Sequence, residues 1–160
     1  MSLENLLTTY AEPGQPLPLF KAAETESRKL IPHQLFTLLY VDGDEVARIY
    51  SSDPTAYPVS GRKKMGPTPW GDKVLKGREA VLLPDRAAIK WAFFDHELIY
   101  SLGLGACINI PSVYDGQTVG TVNILAPEHA LTEAHLAEAM VLGPLLAPAF
   151  LAARYENQAR

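Results

Sequence analysis

The stretch LGACINIPSVYDGQTVGTVNILA, residues 104–126, decides how the rest of the chain is read. Two apolar runs flank Asp115-Gly116, a pair that tolerates the two positive φ angles of a type I′ turn, so the segment reads as a β-hairpin. If Tyr114 opposes Gln117, then Cys107 opposes Ile124 and Asn109 opposes Val122 on one face, while Ile108 opposes Asn123 on the other. Both faces are largely apolar. A sheet of that kind must be covered on both sides, which predicts helices above and below it.

Working outward, the 160 residues suit one domain, which would bury about 68–70% of its unfolded surface. With 48% hydrophobic and 20% charged residues and a formal net charge of −4, the composition is that of an ordinary globular protein rather than a disordered chain. No basic stripe is present to neutralise phosphates, which argues against nucleic acid. The one basic run, Arg62-Lys63-Lys64, lies in a polar loop and reads either as a solvated turn or as an anion-contacting loop. The first 14 residues carry neither the basic nor the long apolar region of a secretory signal, and no stretch is long enough to span a bilayer. A cytoplasmic protein without membrane contact is therefore expected. A lone cysteine, Cys107, cannot form an internal disulfide, and the four histidines lack ligand-like spacing, so neither zinc nor any other metal is expected.

Upstream, residues 3–10 form a short amphipathic start, and Leu19, Phe20, Ala23, Leu30 and Ile31 follow helical spacing up to Pro32. Residues 33–41 and 46–52 read as strands around Asp42-Gly43-Asp44, a second hairpin. With Val41 opposite Val46, Leu39 meets Arg48 and Thr37 meets Tyr50, so Arg48 and Tyr50 share a face. Residues 52–69 are rich in Pro, Gly and Ser and form a long irregular connection. Thr68 can cap a short helix that starts at Pro69 and stops at Gly77, and a buried strand at 80–83 follows. After an irregular or helical stretch, Asp95 can cap a helix over 96–102, with Phe94 and Ile99 as its hydrophobic staple. Thr132 caps the last helix, stapled by Leu131 and Leu136, and Pro144 and Pro148 predict a bend near Gly143 or a restart at Pro144.

Three segments together, VLKGREAVLLPD (74–85), FFDHELIYSLGLGACINIPSVYDGQTVGTVNIL (93–125) and LTEAHLAEA (131–139), resemble a GAF domain. The matching marks are Gly77, Asp85, Gly103, Pro111 and Gly120, in order, over roughly residues 18–155, with an extension at 1–17 and a tail at 156–160. The resemblance implies an α/β fold with a central antiparallel sheet of five or six strands and helices on both faces. Terminal helices would cover one face, and a ligand pocket, roofed by residues 57–102, would occupy the other. It also implies a homodimer through the terminal helices. Ala126-Pro127-Glu128-His129-Ala130 stands where cyclic-nucleotide members carry an Asn-Lys motif, and the roof lacks the Asp-Ile-Pro segment and thioether cysteine of bilin-binding members. GAF-type free methionine sulfoxide reductases cycle through at least a pair of cysteines, and this chain has one.

A small-molecule sensor, signalling through a separate partner and without a cofactor, is the expectation that follows. Its candidate contacts are Arg48 and Tyr50 from one strand, the roof aromatics Tyr57, Trp70, Trp91 and Phe94, then His96, Cys107 and Asn109. Each has a plainer reading: core packing for the aromatics, a rim position for Arg48, a small buried hydrophobe for Cys107, and backbone pairing for Asn109. No catalytic residue is assigned. Asp95, His96 and Glu97 point about 100° apart on a helix and cannot converge. Ser101 and Ser112 lack a nucleophile elbow, and Gly103-Leu104-Gly105 leads into a strand rather than a helix. The alternatives are a redox or hydrolytic enzyme using Cys107 or His96, and a ligand-free dimerisation module.

Overall fold

A computed structural model describes residues 1–159, with side chains through residue 156. Six strands form one antiparallel sheet: β1 (Leu35–Asp42), β2 (Glu45–Ser51), β3 (Lys63–Lys64), β4 (Val81–Leu83), β5 (Ala106–Tyr114) and β6 (Gln117–Ala126), in the order β3-β2-β1-β6-β5-β4. The helices are α1 (Leu3–Thr9), α2 (Leu17–Arg28), α3 (Arg86–Ala92), α4 (His96–Ser101), α5 (Glu133–Ala139) and α6 (Leu142–Ala159). α6 takes up most of the expected tail, and Arg160 lies outside the described residues.

Strand alternation sorts the apolar residues into two cores. Phe36, Leu38, Ile108, Ile110, Val122 and Ile124 face α1, α2, α5 and α6. Leu35, Val81, Leu83, Cys107 and Leu125 face the other way, under Tyr57, Trp70, Val74, Ile89 and Ile99. The helices at the two chain ends thus cover one face, and the 52–104 crossover covers the other.

Both hairpins close as their turn residues predict, with φ of 53° at Asp115, 71° at Gly116 and 62° at Gly43. Both then slip by one residue. Tyr114 pairs with Gln117 and Val113 with Thr118, but Ser112 pairs with Gly120, leaving Val119 as the extra residue of a bulge. From there Cys107 opposes Leu125, Ile108 opposes Ile124 and Asn109 opposes Asn123, so the two asparagines share a face rather than lying on opposite ones. In the first hairpin Leu39 pairs with Arg48, but Leu38 pairs with Tyr50 and Thr37 with Ser51, with Ile49 as the extra residue. Arg48 and Tyr50 are therefore on opposite faces. Each bulge presents two consecutive residues, Ile49-Tyr50 and Val119-Gly120, to the helical side.

Local signals account for most helix ends. Thr132 and His135 form a reciprocal cap at α5, and Asp85 accepts from the Ala88 amide at α3. α2 stops at Arg28, before Pro32, because the Lys29 and Leu30 amides tighten onto Glu26 and Ser27. The helix expected after Thr68 is a π-helical turn, Gly71–Lys76, closed by the Gly77 amide on the Asp72 carbonyl at 2.8 Å. Asp95 does not cap α4 with its side chain, and Phe94, 88% exposed, does not staple it. α6 restarts at Leu142, bent 48° from α5, with Pro144 in its first turn and Pro148 inside. Among the described residues no single helix is long and apolar enough to cross a membrane.

Candidate functional site

The pocket face of the sheet carries a polar rank where the strands stand side by side: Thr37 on β1 opposes Asn123 on β6, which opposes Asn109 on β5. Asn109 Nδ2 donates to Asn123 Oδ1 at 2.7 Å, and Thr121 Oγ1 donates to the same oxygen at 3.1 Å. Asn123 Nδ2 donates in turn to Thr37 Oγ1 at 3.2 Å. Trp70 completes the rank from above, its indole Nε1 donating to Asn109 Oδ1 at 3.1 Å. Burial of Asn109, Thr37 and Thr121 is tolerable because each polar group has a partner. The rank also pins the roof to the floor.

The roof begins as the chain leaves β2. An Asp53 turn, with the Ala56 amide on Oδ1 at 3.1 Å, brings Tyr57 back over the sheet. The Tyr57 ring lies 3.7 Å beneath the Arg48 guanidinium, whose Nη1 donates to the Pro58 carbonyl at 2.7 Å. The Tyr57 hydroxyl donates to Asp95 Oδ2 at 2.7 Å. β2, the crossover loop and the start of α4 are thereby joined by three side chains. Burial, reinforced by Asp95 and opposed by Arg48, pushes the Tyr57 phenol above its ordinary range, so it stays a donor at neutral pH. Beyond Ser60 the loop returns along the edge of β2, where β3 pairs Lys64 with Glu45 and Lys63 with Val46. Pro58 and Pro67 lie in the stretches of this segment that are neither helix nor turn, where proline keeps the residue before it out of the helical conformation.

Between floor and roof lies a cavity of about 350 Å³. Thr37, Leu39, Asn123 and Leu125 form its floor, Trp70, Phe93 and Ile99 its wall, and Arg48, Lys63, Lys64 and Phe94 stand around it from β2, β3 and the segment before α4. Of the residues singled out from sequence, Arg48, Tyr57, Trp70, Phe94 and Cys107 line it. Asn109 sits behind Trp70 and Asn123. Tyr50 points the other way, donating to Glu24 Oε1 at 2.9 Å and packing against Phe20 and Phe36. Trp91 is on the outer surface of α3, and His96 turns its Nδ1 to the Phe93 carbonyl at 3.0 Å. Neither lines the cavity. Asn123 and Leu125 reach the floor through the register that the β6 bulge sets, whereas Thr37 and Leu39 share by plain alternation the face read for Arg48. The sequence leaves open the place of Lys63 and Lys64, two lining residues. Arg62, their neighbour, is committed elsewhere, to Asp42 at 2.7 Å, to Glu45 and to the Tyr40 hydroxyl.

Cys107 borders the cavity but has no accessible surface, and burial pushes its thiol well above the ordinary range, partly offset by the Asn109 amide. A thiol so placed is a poor nucleophile. We expect iodoacetamide at pH 8 to label the folded protein about a hundredfold more slowly than the urea-unfolded chain, since reaction requires local opening. Equal rates, followed by mass spectrometry, would restore a redox reading. Among the described residues no three His, Cys, Asp or Glu side chains converge to hold a metal ion.

The sequence matches the model of the GAF domain family over residues 22–150, and the chain belongs to that family. Solved structures agree on the fold. The GAF domain of a phosphoenolpyruvate-protein phosphotransferase from Coxiella burnetii superposes with a TM-score of 0.72 at 20% identity, covering 97% of this chain and 98% of that one. The A. aeolicus nlh2 GAF domain gives 0.70 at 18% identity, covering 94% and 93%. Free methionine-R-sulfoxide reductase from Neisseria meningitidis, in complex with its substrate, gives 0.69 at 17% identity, covering 96% and 87%. No curated protein sequence matches the chain. At these identities the likeness speaks for the fold alone.

Proposed function

We propose that this GAF domain binds a small molecule in the cavity between its sheet and the 52–104 crossover and acts as a sensory module. The observation that carries the reading is the cavity of about 350 Å³, walled by aromatic and aliphatic side chains with a few polar groups. That volume and that mixture are typical of ligand sites. On the helical face of the same sheet, by contrast, the Phe150 ring fills the space above Gly120. The Arg48–Tyr57–Asp95 contacts would let occupancy of the cavity tighten or loosen the crossover that covers this face.

The test is a thermal-shift screen of the purified protein against a metabolite library, with a variant that fills the cavity, Leu39→Trp, as control. A ligand at about 100 times its Kd stabilises by about 2.7 kcal/mol, or about 5–10 °C for a domain of this size. Hits should shift the parent protein and leave the filled variant unmoved. Hits that shift both equally would place binding elsewhere and refute the reading.

A further inference from the structure

Resting on the cavity reading above, we propose that the ligand is an organic anion with a flat apolar body of one to three rings. The charges around the cavity are unbalanced. Arg48, Lys63 and Lys64 line it against one carboxylate, Asp95, whose Oδ2 already accepts from Tyr57. The other acidic neighbours of these cations lie off the lining. Lys64 is 3.9 Å from Asp44, a pair whose side chains are 79% and 71% exposed, so its ammonium is readily redirected. The guanidinium of Arg48 has spent its face on Tyr57 and Nη1 on the Pro58 carbonyl, which fixes it in place while its remaining N–H donors stay unassigned. A cation held by stacking on an aromatic ring is already ordered for an incoming carboxylate or sulfonate.

The body of the ligand follows from the walls. Trp70 and Phe93 form a tilted aromatic pair with centroids 5.5 Å apart, and Leu39 and Leu125 lie on the floor. Below them, the amide nitrogen of Asn123 is taken up by Thr37 and that of Asn109 by Asn123, so the deep end favours apolar contact. Phe94 bounds the cavity 88% exposed, with Lys63 Nζ 5.7 Å from its ring. An apolar ring left in water beside an ammonium is suited to close over a molecule that is apolar at one end and anionic at the other. At about 30 Å³ per water, the cavity holds about a dozen water volumes, room for a small ring system and little more.

The test uses a matched pair of dyes that fluoresce in apolar sites and share one ring framework: 8-anilinonaphthalene-1-sulfonate, an anion, and N-phenyl-1-naphthylamine, which is neutral. In the intact protein at low salt the sulfonate should bind about tenfold more tightly than its neutral counterpart. Arg48→Gln and the double variant Lys63→Gln/Lys64→Gln should each narrow that gap severalfold. The lysine pair is on the surface, so the comparison survives if the arginine variant fails to fold. Equal affinities for the two dyes, both abolished by Leu39→Trp, would overturn the anion inference and leave the cavity reading intact. Absence of any binding sensitive to Leu39→Trp would overturn this inference, while the metabolite screen above decides the cavity reading separately.

Discussion

Phe150→Ala should lower the free energy of unfolding by about 3–5 kcal/mol, the largest loss expected from a single truncation on the helical face. The side chain has no accessible surface and sits at the centre of the larger core. Its ring lies 6.4 Å from that of Phe20 on α2 and covers Gly120 on β6 so closely that an added Cβ would fall 2.4 Å from a ring carbon. One ring thus joins α6, α2 and the middle of the sheet. Deleting it opens a void that three stiff elements cannot close together. The reciprocal change, Gly120→Ala, drives a methyl into the ring and should cost about 1–3 kcal/mol by overpacking. Because the two changes meet at one contact, they should not add: in the Phe150→Ala background Gly120→Ala should be close to neutral. Urea unfolding of the four proteins measures both quantities. Additive losses would mean that the Gly120–Phe150 contact does not hold the layers together.

The second large effect belongs to the polar rank under the cavity. Asn123→Leu should cost about 2–4 kcal/mol, more than the bonds it removes, because it strands the fully buried Asn109 amide and leaves the Thr121 hydroxyl to find another acceptor. Asn109→Leu should cost a similar amount by leaving the Trp70 indole N–H unpaired. The double variant should be less destabilised than the sum of the singles, since it removes donor and acceptor of the 2.7 Å bond together. Equilibrium unfolding gives the energies, and Trp70 fluorescence in a Trp91→Phe background reports whether the roof has moved. A double variant at the full sum, with unchanged fluorescence, would show that the rank is not coupled to the roof.

Half of the candidate site is legible in the sequence. Roof aromatics were recognisable as large side chains in a Pro-rich crossover, and Arg48 as a charge in an apolar strand; Tyr57, Trp70 and Phe94 do line the cavity. Tyr50 and Asn123 fall on the face opposite to the one expected for one reason, the assumption of unbroken alternation through two hairpins that each carry a bulge, while Asn109 keeps the Cys107 face. Trp91 and His96 were misplaced for another. On short helices such as α3 and α4, which face water and cavity within seven residues, one or two apolar positions do not define an inner side.

Local chemistry determined a great deal by itself. The Asp115-Gly116 and Gly43 turns, the Thr132 cap, the strand alternation and the two apolar sheet faces follow from φ preferences, orphan amides and burial, which act over a few residues. Tertiary packing alone decided the extra residues Ile49 and Val119, the union of Asn109 with Asn123 and the parting of Arg48 from Tyr50. The reason is energetic. A bulge disrupts a ladder locally, and its compensation comes from distant partners: Phe150 seated on Gly120 and Tyr50 bonded to Glu24. Those partners lie 26 and 30 residues away along the chain, beyond the reach of any local pattern.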